Sequence, residues 1–575
     1  MPTRRALWFL VGVVLVVYVR LFSAGFVEFD DDFHVYANPF LNPPSLHGLG
    51  ELWRHSYKGL YNPLVYTFWT AIAVLAEVPG DVTSSLGQPI HFDPGWFHAA
   101  SIGFHALNAA LCFLLVLELT RRETSAWLAA LVFAVHPLQV ESVGWISELR
   151  GVSSGSFALG ALLLLVRTRR AGVPAGGSHA AMLGASALLV VAAVLCKASA
   201  VVLPVVALIV DRVALGTSLR RALATALAWT IAVLPVAWVT LAVQKVHPDV
   251  ATLWWQRPFI AGDALAFYLW KTALPLDLGV EYGRTPSYAL GEGWGYATWI
   301  IPVGLVALGY AKRRQRPLAW LGALLFLAFA APTLGLVPFA FQAHSSVADR
   351  YAYLPLLGIG LVVADVVEAA GSTLSLRVAA VLILLFGIRS FDQTSYWLDN
   401  VGFLRHTLDV NPNVAFAQNN LSNVLFKEGR ADEALEHLKK ALELEPGHAL
   451  AHNNLGLALV QEGRFDEAEP HFRRAVELDP KYYKAFESLG AVYLKTNRLP
   501  QAIASLESAV KLHPEAKALN DLGIAFMQSG KPNEGLAAFQ HAVALEPENA
   551  QYRKNLGTAL GQMGRSEEAA QYLGR

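Results

Sequence analysis

Two patterns of apolar positions divide the chain. Up to about residue 390 long apolar runs alternate with arginine clusters, and beyond it those runs stop and Glu, Lys, Asp and His become frequent. A membrane-crossing helix needs about 20 mostly apolar residues, because the hydrocarbon core is about 30 Å thick. Runs near 6–26, 97–119, 126–146, 151–167, 180–196, 198–214, 222–244, 296–311, 317–340, 351–370 and 374–391 predict about 11 spans, some of them short. Segments 63–78 and 263–277 are apolar but ambiguous. Cytoplasmic loops collect Lys and Arg. Arg4 and Arg5, Arg121 and Arg122, Arg167, Arg169 and Arg170, Arg220 and Arg221, and Lys312 to Arg316 share one side only if neither ambiguous segment crosses fully. Both are therefore expected to be interfacial or re-entrant helices. The N-terminus is then cytoplasmic, and loops 27–96, 245–262, 278–295 and 341–350 are outside, as is everything after the last span. Ala6 to Phe22, behind Arg4 and Arg5, has the look of a signal peptide but no clean small-residue cleavage site follows, so a retained first helix is expected.

The second half is periodic. Leu421-Ser422, Leu455-Gly456, Leu489-Gly490, Leu522-Gly523 and Leu556-Gly557 recur at spacings of 34, 34, 33 and 34. Pro446, Pro480, Pro514 and Pro547 close the units. Small residues at Ala434, Ala468, Ala502, Gly535 and Ala569 mark a helix crossing, with Leu438, Phe472, Leu506 and Phe539 filling the slot beside it. Two antiparallel helices per unit follow, since alanine lets backbones approach and proline ends a helix. Over 415–575 this resembles the tetratricopeptide (TPR) family, with four full units and a partial fifth. The resemblance implies a peptide or protein partner in a concave groove. Asn419, Asn423, Asn453 and Asn520 stand on the first helices at positions that usually face it. The domain plan is a transmembrane domain over 1–391, a connecting helix over 392–414 and the repeats over 415–575.

Composition fits that plan. The 575 residues are 54% hydrophobic and only 16% charged, against about 25% charged in ordinary soluble chains. The formal net charge is zero, so no global field attracts nucleic acid. Both cysteines, Cys112 and Cys196, lie in apolar runs, so no disulfide framework is expected. The alanine, leucine and arginine bias suggests a GC-rich bacterium, and hence its inner membrane.

Candidate chemistry gathers on the predicted outer side. Asp30, Asp31 and Asp32 are adjacent just beyond the first run, and adjacent carboxylates tend to hold a proton, a cation or a basic partner. His136 and Glu141 interrupt an apolar run, with Glu148 and Arg150 at its outer end. Lys197 falls between two runs, His344 lies in an outer loop, and Asp349-Arg350-Tyr351 opens the tenth run. Ionisable groups in or near spans are costly, so each is a functional candidate. A divalent cation on the Asp triplet is conceivable, but no His or Glu completes a ligand set, and no metal is expected.

Phe29-Asp30-Asp31 with Asn38-Pro39, Tyr61-Asn62-Pro63-Leu64, His98, His105-Ala106-Leu107-Asn108, His136 to Arg150, Lys197 to Asp211 and Ala348 to Pro355 resemble, in order, the bacterial TPR-linked GT-C glycosyltransferases. The layout is similar to that of the transmembrane and TPR-repeat-containing O-mannosyltransferases. The resemblance implies an all-α, polytopic GT-C helix bundle followed by the TPR solenoid. It also implies catalytic acids in the first outer loop, here Asp30 and Asp31, and a polyprenyl-phosphate sugar as donor, with no other cofactor. Asn62 stands where relatives often carry a basic residue, and Leu149-Arg150-Gly151 where they carry a basic pair and an acid. The expected reaction is inverting transfer of a hexose, mannose favoured, to Ser or Thr. Asp30 or Asp31 would be the base, and Arg150, Lys197 and Arg350 would face the leaving phosphate. His136 or His344 would donate hydrogen bonds, and Glu141 would orient a cation or the sugar. Two other classes fit: a non-catalytic membrane scaffold carrying TPR repeats, and an enzyme of the same fold acting on lipid or cell-wall glycan.

Overall fold

The computed structural model describes residues 2–83, 89–171, 177–243, 252–291 and 293–573. It divides between Pro412 and Asn413 into two compact units. The stretch 392–414, expected as a connector, belongs to the first unit as far as Pro412.

Among the described residues six helical stretches of the first unit are long and apolar enough to cross a membrane: Arg4–Ser23, Pro94–Thr120, Ile146–Arg170, Leu219–Val243, Trp294–Lys312 and Thr373–Trp397. A seventh arises if Glu123–Val135 and Pro137–Gly144, bent by 54° at the break, count as one span. That is fewer than the expected 11 or so, and the cause is local. The run at 198–214 holds Pro204 and Asp211 and divides into short turns around the seven-residue helix Leu203–Ile209. The run at 317–340 stops being α-helical at Ala330, before Pro332. The helix Pro355–Ala370 has 16 residues, about 24 Å at 1.5 Å per residue. Pro63–Ala76, with 14 residues, and Arg257–Ala273, with 17, are likewise short of a full crossing of about 30 Å. The expected outer loop 245–262 lies partly outside the described residues.

Pro94–Thr120 and Leu149–Arg170 pack at the centre of this unit, with Glu123–Val135 against Pro94–Thr120 and Pro355–Ala370 against Glu123–Val135. Leu219–Val243, Trp294–Lys312 and Thr373–Gln393 lie outside and expose Leu223, Leu227, Ile231, Val303, Leu382 and Leu385. Exposed apolar rows of this size mark a membrane or protein-contact surface. Within the expected outer loop sit the helix Leu46–Arg54 and a departure from all-α, the antiparallel strands Glu77–Thr83 and Pro89–Phe92.

The second unit pairs Ala415–Lys427 with Ala431–Leu444, Ala449–Gln461 with Phe465–Leu478, Tyr483–Lys495 with Leu499–Leu512, Ala516–Gln528 with Pro532–Leu545, and Ala550–Gln562 with Ser566–Leu573. The Leu-Gly signature has a steric cause: a Cβ at Gly490 would lie 2.6 Å from Leu506 Cγ. Gly490→Ala should therefore cost about 1–3 kcal/mol by overpacking. Far-ultraviolet circular dichroism of residues 413–575 during urea unfolding measures this, and an unchanged midpoint would contradict the packing account.

Candidate functional site

The acidic triplet is held by residues far away in sequence. Phe29 stacks on Trp145 at 4.9 Å, and Trp145 Nε1 donates to Phe29 O at 2.8 Å. The loop is thereby clamped to the turn that starts the central helix Leu149–Arg170. Asp31 is buried, and Oδ1 accepts from Ser147 N at 2.9 Å and Ser147 Oγ at 2.6 Å while Oδ2 accepts from Val27 N at 3.2 Å. Asp32 is also buried, and its Oδ1 has no hydrogen-bond partner. Asp30 differs: its side chain is 40% exposed, and Oδ2 lies 4.0 Å from Arg150 Nη2. Its φ of 76° is left-handed, a region Asp tolerates better than most residues.

Burial pushes Asp31 and Asp32 up to about 7. Burial also raises Asp30, while Arg150 and then Arg350 pull it back down. Solvent access and these two cations favour the ionised form of Asp30 against the effect of burial. A carboxyl raised above its ordinary value near 3.8 binds its proton more tightly in the folded chain. The resulting stabilisation is complete below about pH 4 and disappears as pH rises through about 7. The thermal midpoint of the detergent-solubilised chain should fall across that window, and Asp32→Asn should flatten the fall. A variant profile as steep as the native one would contradict this assignment.

Behind Asp30 lies a relay of charges. Arg150 Nη2 is 3.4 Å from Glu148 Oε1, and Glu148 Oε2 accepts from Lys197 Nζ at 2.6 Å. Gly151 makes room for that pair, since a Cβ there would lie 2.7 Å from Glu148 Oε2 and 3.2 Å from Lys197 Nζ. Arg350 Nη1 donates to Glu141 Oε1 at 2.5 Å, and its backbone N–H to Glu141 Oε2 at 2.8 Å. The Arg150 and Arg350 guanidiniums stand 5.9 and 5.1 Å from the Trp145 ring. Asp349, beside Arg350, accepts from Tyr282 OH at 2.7 Å. Asp30, Arg150, Glu148, Lys197, Arg350 and Glu141 thus form one buried-to-exposed charge network. Such a network can present a carboxylate and a guanidinium to a ligand while fixing the remaining charges against each other.

Two candidates sit differently from expectation. His136 has both ring nitrogens engaged: Nδ1 accepts from Leu138 N at 3.2 Å and Nε2 faces Thr272 O at 3.0 Å. It closes the backbone break before Pro137 and satisfies a carbonyl in the last turn of Arg257–Ala273. His344 is exposed, 6.1 Å from the Phe341 ring, which itself lies 4.3 Å from the Arg350 guanidinium. Residues passed over in the sequence reading, Trp145 and Ser147, do the clamping. Their signal was position, inside the stretch from His136 to Arg150. Among the described residues no group of three His, Cys, Asp or Glu side chains is placed to hold a metal.

The last helix of the first unit, Asn400–Val410, packs beside the same loop. Glu28 N donates to Asn400 Oδ1 at 2.9 Å, Asn400 Nδ2 donates to Glu28 Oε2 at 3.0 Å, and Phe403 lies 6.0 Å from Phe29. In the second unit Asn419 Oδ1 accepts from Asn454 Nδ2 at 2.9 Å, and Asn520 Oδ1 from Asn555 Nδ2 at 2.7 Å. These amides tie successive first helices together. Asn453 is buried with Oδ1 unpartnered, and Asn423 is half-buried.

Tetratricopeptide repeat models match residues 413–481, 459–522 and 520–575. The C-terminal unit is a tetratricopeptide-repeat domain. A curated relative, protein O-mannosyl-transferase TMTC1 of Mus musculus, is 25% identical over 189 residues, 30% of this chain and 20% of that protein. The chain therefore spans about a fifth of the length of that relative. MamA from Desulfovibrio magneticus RS-1 is 30% identical and covers 28% of this chain and 90% of its own, at a TM-score of 0.26. YrrB, described as a TPR protein with an unusual peptide-binding site, is 25% identical over 30% of this chain and 88% of its own, at 0.27. Pseudomonas aeruginosa PilF is 22% identical over 32% of this chain and 80% of its own, at 0.28.

Proposed function

We propose that the protein transfers a hexose, mannose favoured, from a polyprenyl phosphate to a Ser or Thr hydroxyl of a protein, outside the cytoplasm. The observation that carries this reading is the half-exposed Asp30 carboxylate 4.0 Å from Arg150, in front of buried Glu148 and half-buried Lys197. The partial match to an O-mannosyl-transferase supports it. Asp30 takes the hydroxyl proton as the acceptor oxygen bonds to the anomeric carbon. The bond from that carbon to the phosphate oxygen breaks, its electron pair leaves with the phosphate, and the anomeric carbon inverts. Arg150 is the cation nearest Asp30 and receives the developing phosphate charge. Asp31 positions the loop and is not the base, because both its oxygens are engaged by Ser147 and Val27. The apolar helix faces accommodate the lipid. The C-terminal repeats bind the acceptor and, being tethered to the same chain, raise its local concentration.

The test is incubation of the full chain with polyprenyl-phosphate mannose and Ser/Thr-containing envelope peptides. The expected product carries one added hexose by mass. A second reading, a non-catalytic membrane scaffold, is favoured by the pairing of two cations with buried acids, Lys197 with Glu148 at 2.6 Å and Arg350 with Glu141 at 2.5 Å. It predicts no hexose addition with any polyprenyl-phosphate sugar, and partner capture that survives Asp30→Asn.

A further inference from the structure

The helix Leu149–Arg170 has 22 residues, so its two ends stand about 30 Å apart. Arg150 and Glu148 mark one end. At the other a cleft of about 590 Å³ opens, lined among the described residues by Arg169, Arg170 and Arg221 together with Gly216, Thr217 and Ser218, and by no acidic side chain of those residues. Arg169 forms the floor. Its Nε and Nη2 donate to buried Asp211 at 3.0 and 2.9 Å, and Nη2 also donates to Thr225 Oγ1 at 2.6 Å, so its charge is compensated and its position fixed. Arg170 Nη2 donates to the Leu119 carbonyl at 2.8 Å, which holds the side chain without neutralising it. Arg221 is exposed at the start of Leu219–Val243. Thr217 Oγ1 donates to Asp211 Oδ1 at 3.1 Å and so lines the wall, while two guanidiniums without an acidic partner among the described residues, the Ser218 hydroxyl and a glycine turn make a receptor for a tetrahedral oxyanion.

The height of the cleft selects the source of that anion. Arg170 ends one spanning stretch and Leu219 begins another, so the cleft lies at a bilayer interface. Leu219, Leu223 and Leu227 continue from it as an exposed apolar row. Basic pockets between spanning helices at this level suit lipid head groups. We propose that this cleft binds the phosphate of an anionic membrane lipid, with the acyl or prenyl chain lying along the apolar face of Leu219–Val243. The site is separate from the transfer chemistry proposed above and does not depend on it.

The test uses the full chain in phosphatidylcholine nanodiscs doped separately with phosphatidylglycerol or a polyprenyl phosphate, with bound lipid read by native mass spectrometry. Arg221→Gln should reduce retained anionic lipid roughly tenfold, as loss of one charge-assisted contact implies. The pair Arg170→Gln with Arg221→Gln should abolish it. Arg313→Gln with Arg314→Gln removes the same charge elsewhere and should leave retention intact. Arg221 is exposed, so its variant folds even if the Arg170 change does not. Equal loss in the Arg313 and Arg314 control would show diffuse charge attraction and overturn the proposal. Undiminished retention in Arg221→Gln would overturn it too, as would inorganic phosphate displacing the lipid at micromolar concentration, since a free anion would then be the ligand. The preferred dopant shows which lipid class carries the phosphate.

Discussion

Asp30→Asn should lower hexose transfer roughly 10²- to 10⁴-fold and leave the thermal midpoint at or above that of the native chain. Asparagine keeps the volume and tolerates the left-handed φ of 76° at this position. Among the described residues the one ion pair removed is half-exposed and 4.0 Å long, and such pairs contribute about 0–1 kcal/mol. Asp31→Asn should behave in the opposite way. Its amide must aim an N–H at the backbone N–H of Ser147 or of Val27, both of which donate to Asp31 in the native chain. A buried donor left without an acceptor costs about 1–3 kcal/mol. The assay pairs initial rates of hexose addition with melting curves for the two variants. Equal turnover by native chain and Asp30→Asn would remove this residue from the mechanism. Loss of activity at native stability in Asp31→Asn, with Asp30→Asn destabilised but still active, would reverse the roles.

Arg350→Met should destabilise the first unit by about 3–5 kcal/mol, because it leaves the Glu141 carboxylate buried and uncompensated. Glu141 is 3% exposed, with one oxygen on the Arg350 guanidinium and the other on the Arg350 backbone N–H. Adding Glu141→Gln should restore most of that loss, since a neutral amide is cheaper to bury than an unpaired charge and its oxygen still accepts from the backbone N–H. Denaturant titration of the native chain, both single variants and the double variant closes the cycle. The decisive quantity is the coupling between the two positions. Purely additive effects would mean that the pair does not act as a unit.

Much of this was legible in the chain before any coordinates. The repeats were readable because each unit is specified by contacts inside a window of about 34 residues. Gly490 and Leu506, which meet in the crossing, are close in sequence. The long runs at 97–119, 151–167 and 222–244 were readable for a similar reason: length and apolarity suffice for a helix such as Pro94–Thr120. The shorter runs misled, because apolarity alone does not distinguish a span from a buried, proline-broken segment such as 198–214. The site was legible as a list and not as an arrangement. Three aspartates in a row look equivalent until Ser147, 116 positions away, engages one of them. His136 looked available until a helix-end carbonyl at Thr272 occupied it. Gly151 read only as a departure from the pattern of similar proteins, and the structure shows that a Cβ there would press on Glu148 and Lys197.

The sequence by itself determined that an apolar helical half precedes five helix pairs of repeats, and which ionisable residues are out of place among apolar neighbours. Both are properties of short windows, in which periodicity and composition already carry the energetic preference. The tertiary structure alone decided which aspartate keeps an accessible carboxylate, which cation stands beside it and which are neutralised, and which arginines converge at the far end of Leu149–Arg170. Those outcomes depend on burial and on partners tens to hundreds of residues away. The electrostatic energy of a charge is set by what surrounds it in space, and no window of sequence contains that surrounding.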